Sequence, residues 1–267
     1  MKVSSLHIYP VKSLRGLSPT HVDMDPWGPR GDRRWVVVDV DGVFITQRTN
    51  AAMARISVTP TPDGLTLQRD GDASLAASRP SGGATRVRVW RSDVTGNDAG
   101  DEAAAWLEAA LGRPSRLVYM DAPESARPGE HDGQEFHVSF ADGFPGLLCT
   151  EASLDDLNAR LDRAVPMTRF RPNVVVEGAS AWAEDEWTRI RIGQVELALV
   201  KPCSRCIVTT IDQESGSIVV PGQPLKTLAG FRRTPEGIMF GQNFLVEKTG
   251  TIRKGDTVEI LERRAAT

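Results

Sequence analysis

Two of the chain's three cysteines stand in Pro202-Cys203-Ser204-Arg205-Cys206, and this Cys-x-x-Cys spacing carries more potential chemistry than any other run. Such a pair can cycle between dithiol and disulfide, supply half of a zinc site, or pack as two half-buried structural thiols. A closed zinc site needs a second pair of ligands, and Cys149 is the one thiol left to join it. Three cysteines also fall short of a disulfide framework, and of an iron–sulfur cluster held by four of the chain's own thiolates. A thioredoxin-like pair would precede a helix, whereas Ile207-Val208-Thr209-Thr210-Ile211 is β-branched throughout and predicts a strand over 206–211. So few cysteines make a reducing compartment the expectation.

Other residues could serve an anion or a proton. Lys12, Arg48 and Arg171 are cations that suit a phosphate, though each alone also reads as a solvated surface charge. Thr150 fits a helix N-cap with Ser153 three residues on, and a helix start aims amide donors at an anion. Asp142 precedes the turn Gly143-Phe144-Pro145-Gly146, where a carboxylate can form the turn or move a proton. Arg189 and Arg191 alternate along a strand pattern and read as surface charge. Trp182 and Trp187 flank Ala183-Glu184-Asp185-Glu186, which suits capping or packing better than catalysis.

These side chains need elements to hold them. Residues 6–9, 35–40, 42–46, 64–67 and 86–90 are short apolar or alternating runs that predict strands. The Asp41-Gly42 step predicts a type I′ hairpin turn, since both residues tolerate positive φ. Residues 70–85 read as loop. Residues 100–112 are helix formers with an acidic first turn and Gly112 to stop them. Pro123, Pro128, Gly129 and Gly133 predict a mobile loop over 121–135, and a second helix follows at 153–161. Strands return at 173–176, 188–192, 195–200, 206–211, 243–247 and 256–261. The pattern predicts a mostly β fold with flanking helices, a small antiparallel β unit over 1–92 and a β-barrel over 93–267.

At 267 residues, with 40% hydrophobic and 25% charged, the chain has material for one or two globular domains. Its 32 basic and 35 acidic residues leave a net −3, which gives no general drive toward nucleic acid or anionic membrane. No run approaches the roughly 20 apolar residues of a membrane span. Met1 to Pro10 reads as a first strand rather than a signal peptide, so the cytoplasm is expected.

The cysteine run, followed by Ile207 to Asp212 and preceded upstream by Arg169-Phe170-Arg171-Pro172-Asn173, resembles the molybdenum cofactor sulfurase C-terminal (MOSC) family. Tyr9-Pro10-Val11-Lys12-Ser13, Asp32-Arg33-Arg34-Trp35 and Thr46-Gln47-Arg48 look like that family's N-terminal β-barrel domain. Gly100-Asp101-Glu102-Ala103-Ala104, Thr150-Glu151-Ala152-Ser153-Leu154 and Phe240-Gly241-Gln242-Asn243 extend the match, in order, over nearly the whole chain. Within the family the chain is similar to the amidoxime-reducing components and their bacterial relatives.

The resemblance implies a molybdenum cofactor, Mo-molybdopterin, with Cys206 as the protein's thiolate ligand. Thiolate is a soft donor that suits molybdenum, and the neighbouring Arg205 would lower its pKa. Lys12, Ser13, Arg48, Thr150, Ser153, Arg171, Asn173, Ser204 and Arg205 would hold the pterin and its phosphate. Cys203 would be structural, Cys149 a core or near-site residue, and Asp142 a catalytic proton donor. The implied reaction takes oxygen from N-hydroxylated compounds and leaves amines, and the family also carries an association with pyridoxal phosphate. A different class of function, a carrier of molybdenum cofactor or sulfur, would use Cys206 as a nucleophile or persulfide. Some relatives carry a ferredoxin-like domain or a membrane anchor; this sequence shows neither. The expected electron source is therefore a separate ferredoxin, flavodoxin or cytochrome with its reductase.

Overall fold

The computed structural model describes residues 1–264, apart from the side chains at 125 and 126. Its largest sheet has the spatial order Lys2–Leu6, Val174–Glu177, Gly146–Thr150, Gly237–Lys248, Val195–Ser204, Trp187–Ile192 and Val258–Arg263. The sheet closes on itself. Val3 N–H donates to the Asp256 carbonyl (2.9 Å) and Val258 N–H to that of Met1 (3.1 Å), so the first strand meets the start of the last. Closure leaves no long open edge.

Period-2 patterning fills this barrel. In Trp187–Ile192 the residues Ile190 and Ile192 are buried with Val195, Leu197 and Phe244, while Arg189 and Arg191 face outward onto Glu196, Glu247, Glu262 and Glu259. One pair is parallel: Gly146–Thr150 against Val174–Glu177. Parallel strands need a long crossover. It carries the helix Glu151–Asn158 and a 3-10 turn, Met167–Phe170.

The other unit contains the sheet Trp35–Val38, Arg116–Tyr119, Ser92–Asp98, Ala84–Val89, and a second one, Ser57–Thr61, Gly64–Gln68, Leu75–Ser78. The helix Asp101–Leu111 lays Ala103, Leu107 and Ala110 on their shared core, and Gly112 ends it in the left-handed region. Hydrogen bonding crosses the expected division at residue 92 in both directions. Lys2–Leu6 belongs to the C-terminal barrel, and His21–Asp25 pairs with Gly250–Arg253. Conversely, the helix and Arg116–Tyr119 belong to the N-terminal unit.

Four stretches differ from expectation. Residues 70–85 are not all loop, since Leu75–Ser78 is a strand, and residues 42–46 make only isolated bridges at Val43 and Phe44. Residues 121–135 hold a short helix, Pro123–Ala126, and most of a hairpin of Pro128–His131 with Gln134–His137, not a plain loop. Its turn is Asp132-Gly133, with both φ positive (51° and 80°), whereas at Asp41-Gly42 only Gly42 is left-handed. Residues 206–211 are not a strand but a 3-10 turn, Ile207–Thr210. The hydroxyls of Thr209 and Thr210 donate to the carbonyls of Cys206 (3.0 Å) and Ile207 (2.7 Å), closing the chain on itself where β-branching alone would extend it.

His7 follows the first barrel strand, buried between the hydroxyls of Ser5 (3.0 Å) and Ser18 (2.8 Å). Burial pushes its pKa down from 6.5 to about 4. Between these values the unfolded chain binds the proton and the folded chain does not. The neutral ring's stabilisation, present above pH 6.5, is therefore lost as pH falls toward 4, up to about 3 kcal/mol. His7→Asn is expected to flatten the fall in urea-unfolding free energy across that window; an unchanged acid limb would place the loss elsewhere.

Candidate functional site

One cleft lies where the two units meet. Its walls come from the loop after the first strand (Lys12, Ser13), Arg33, Arg48, the 141–147 turn, Phe170 to Asn173, and Cys203 to Val208. Five cations line it (Lys12, Arg33, Arg48, Arg171, Arg205) against one carboxylate, Asp142. That imbalance suits an anionic ligand.

The Cys206 thiol sits just past the end of Val195–Ser204, where Arg205 N–H still donates to the Ile238 carbonyl (2.7 Å) and the 3-10 turn then begins. Arg48 Nη2 donates to Cys206 Sγ at 3.3 Å. Arg205 makes no hydrogen bond to this thiol. Its Nη1 donates to Cys203 Sγ (2.9 Å) and its Nη2 to the Phe170 carbonyl (2.6 Å). Each cysteine of the pair thus has its own guanidinium, and Cys203 lines the cleft rather than serving structure alone. Cys149 is fully buried beneath the cleft floor with Phe170 and Phe240, and burial raises its thiol pKa well above 9.0.

At the mouth, Lys12 and Asp142 form an ion pair. Lys12 is 7% exposed and Asp142 58%. Lys12 Nζ also donates to the Phe140 carbonyl (2.7 Å). Burial draws the Lys12 pKa down to about 8, although Asp142 opposes the shift. Burial also acts to raise the Asp142 carboxyl, but Lys12, Arg48 (3.6 Å) and the Trp90 indole N–H (3.2 Å) outweigh it and hold the group well below the usual carboxylate range. Arg127, itself buried, clamps the turn by donating to the carbonyls of Ser139 (2.9 Å), Ala141 (2.5 Å) and Asp142 (3.2 Å).

Deeper in, the guanidinium carbons of Arg33 and Arg171 lie 4.3 and 4.1 Å from the Tyr9 ring centre. Arg33 is fixed by buried Asp32 (2.5 Å) and Asn173 (3.1 Å), and Arg171 by the Leu14 carbonyl (2.9 Å) and Gln213 (3.1 Å). Arg171 Nη2 is buried and has no partner among the described residues. Ser13, Arg33 and Arg171 all have left-handed backbone, φ 67°, 47° and 53°. Side chains rarely adopt it, and such strain clusters at binding sites.

Of the residues expected from sequence, Lys12, Ser13, Arg48, Asp142, Arg171, Asn173, Arg205 and Cys206 come together here. Thr150, Ser153 and Ser204 do not. Thr150 does cap its helix, with its Oγ1 accepting from Ser153 N–H. Both hydroxyls donate to Glu184 Oε2 at 2.9 Å, so a carboxylate of the chain itself takes the place expected for phosphate. The Ser204 hydroxyl faces Gly237, where a Cβ would meet it at 2.0 Å. Thr150→Val is therefore expected to cost about 1–2 kcal/mol in urea unfolding; an unchanged unfolding free energy would remove the cap from the account of this helix. Sequence reading missed three residues: Arg33, which stood in a matching stretch, Trp90, and Arg127, for which no local signal exists. Among the described residues no three His, Cys, Asp or Glu side chains converge as a ligand set.

Two β units joined at a cation-rich thiol cleft define the class: residues 1–114 match the family "MOSC N-terminal beta barrel domain" and residues 135–259 the family "MOSC domain". The chain is 36% identical to human mitochondrial amidoxime-reducing component 1, over 97% of this chain and 82% of that one. It is 37% identical to the mouse component 1 over the same shares, and 35% to the human component 2 over 96% and 82%. The chain belongs to the family of amidoxime-reducing components within the MOSC-domain proteins.

Proposed function

We propose that this protein is a molybdenum cofactor-dependent oxidoreductase that reduces N-hydroxylated compounds, taking amidoximes to amidines and hydroxylamines and N-hydroxylated bases to amines. The observation that carries the reading is Arg48 held between Cys206 Sγ (3.3 Å) and Asp142 (3.6 Å) at one cleft. A soft ligand and a group able to move protons thus face the same space. The residues fit the cofactor: Cys206 offers a thiolate, the cations outnumber the acids, and Arg171 Nη2 is a buried donor without an acceptor among the described residues. Cys206 would hold the metal, and Lys12, Ser13, Arg33, Arg48, Arg171, Asn173 and Arg205 the pterin and its phosphate.

When bound, the cofactor supplies the two-electron change and the acceptor for the substrate's oxygen. The overall reaction, R–NHOH plus two electrons and two protons to R–NH2 plus water, leaves protons for the chain to deliver. Asp142 is ionised at neutral pH and so is a relay rather than a reservoir. Lys12, poised near pH 8 and bonded to it, is the acid that reloads it. The electrons would come from a separate redox protein of the ferredoxin, flavodoxin or cytochrome class. Three free cysteines fit a cytosolic setting, and no described helix is long and apolar enough to cross a membrane. Pyridoxal phosphate would draw on the same cations, but the lysine lining the cleft, Lys12, is already held by Phe140 and Asp142.

The test is metal analysis of protein from a molybdate-replete host, followed by anaerobic assays with reduced methyl viologen. Close to one molybdenum per chain with amidine formed from an amidoxime is the expected result. Stoichiometric metal without turnover of any hydroxylamine or amidoxime would favour a cofactor carrier. Metal-free protein bearing persulfide on Cys206 would favour a sulfur carrier.

A further inference from the structure

Trp90 stands outside the chemistry assigned so far. It is the first residue of the two-residue turn joining Ala84–Val89 to Ser92–Asp98, since Val89 pairs with Ser92. Its φ is 56°, at the position where such a turn takes glycine for its freedom at positive φ. A tryptophan is among the least suitable residues for that backbone, and hairpin formation gives no reason for one. Its side chain is not tucked into the core either: the residue is 47% exposed. What it touches is the cleft mouth. The indole N–H donates to Asp142 Oδ1 (3.2 Å), the Arg48 guanidinium lies 4.8 Å from the ring centre, and Phe44 meets it edge-on at 5.0 Å. Trp90 thus borders the cleft through Asp142 and Arg48, and Phe144, two residues beyond Asp142, lines it and stacks on Phe136 at 5.5 Å. The proton-relay carboxylate therefore bonds one aromatic side chain, Trp90, and precedes another, Phe144, by two residues.

Resting on the reading of the cleft as an N-hydroxyl reductase, we propose that Trp90 is a specificity-determining residue. Its exposed indole surface is the wall on which a planar, π-delocalised N-hydroxylated substrate stacks, with the N–OH end directed to Asp142 and Cys206. Exposed aromatic area fixed by a strained backbone is available for stacking without first being ordered. Small aliphatic N-hydroxyl compounds have no π surface to place there and lose this contribution. Trp90 has two separable contacts: the N–H bond acts on Asp142 whatever the substrate, and the ring acts on planar substrates alone.

The experiment compares benzamidoxime with acetamidoxime, which share the reacting group, in the holoenzyme and in Trp90→Ala and Trp90→Phe, with reduced methyl viologen as donor. The wild type is expected to favour benzamidoxime in kcat/KM, and Trp90→Ala to shrink that preference roughly 3- to 10-fold, chiefly through the benzamidoxime KM. Trp90→Phe keeps a ring but loses the N–H. It should lower kcat for both substrates and retain most of the preference. An Ala variant with the wild-type preference, or a wild type without one, overturns the proposal. If the wild-type holoenzyme reduces neither compound, the reductase reading fails by itself. Calorimetric binding of benzamidine against acetamidine then decides Trp90 alone: a benzamidine preference lost in Trp90→Ala supports the wall, and equal binding to wild type and variant overturns it.

Discussion

In Cys206→Ala, molybdenum content is expected to fall from near one equivalent per chain to about a tenth or less, with amidoxime reduction lost in proportion. The argument starts from what Cys206 does not do. It is half-buried, belongs to none of the apolar clusters, and leads into a turn closed by backbone and threonine hydroxyls rather than by its own side chain. Truncating it leaves the barrel core untouched, so urea unfolding should move by less than about 1 kcal/mol. What it does is present sulfur to a cleft whose other charged groups are mostly cations. Cys206→Ser separates ligand chemistry from shape, because a hydroxyl of similar size is a harder donor and a poorer partner for molybdenum. It should lose metal nearly as fully as alanine. Cys203→Ser is the contrasting case: Arg205 holds that thiol, and the variant should keep most of its metal. Plasma emission spectroscopy on gel-filtered protein reads all three. Metal retained in Cys206→Ala and lost in Cys203→Ser would exchange the roles of the two cysteines.

Those two thiols also show how far the sequence can be read. The spacing of the pair and the cations in the matching stretches placed eight of eleven expected site residues in one cleft. Alternation such as Ile190 and Ile192 against Arg189 and Arg191 was enough to find the barrel strands, because burial on one face leaves a period in the sequence. The failures come from side-chain bonds that a sequence does not display. Residues 206–211 look like a strand because β-branching is visible in a sequence, and threonine hydroxyls bonding backwards are not. Thr150 and Ser153 look like phosphate ligands because a capped helix start is visible, and the Glu184 carboxylate that fills it comes from thirty-odd residues downstream. The guanidinium that reaches Cys206 belongs to Arg48, 158 positions away, rather than to the adjacent Arg205. At Thr150 and at Cys206 a contact long in sequence displaced a short one, whereas at 206–211 the deciding bonds run only three residues back. The Asp132-Gly133 hairpin is different: its signal was present, and the surrounding prolines and glycines masked it.

The Lys12–Asp142 pair gives the second large effect, and its sign follows from which partner holds the proton. Asp142→Asn keeps shape and most of the turn, since Arg127 binds main-chain carbonyls there and not the carboxylate. Metal content should therefore stay close to wild type. The relay is lost, and kcat should fall about 10²- to 10⁴-fold, the usual range for a general acid–base group. The pH profile carries the finer prediction. Lys12 can reload the relay only while protonated, so wild-type kcat should decline as pH rises through about 8. Asp142 is the neighbour that raises the Lys12 pKa against burial, and removing its charge lets burial act with less opposition. In Asp142→Asn the alkaline decline of the residual rate should consequently move to lower pH, not higher. Lys12→Arg keeps the positive charge but cannot give up a proton in this range, so kcat should fall and the decline should disappear from the rate that remains. A limb unmoved in Asp142→Asn and still present in Lys12→Arg would assign it to another group and remove Lys12 from the proton path. A shift toward lower pH in the first variant and its absence in the second cannot both arise from general damage to the cleft, because damage lowers a rate without setting the direction in which its pH dependence moves.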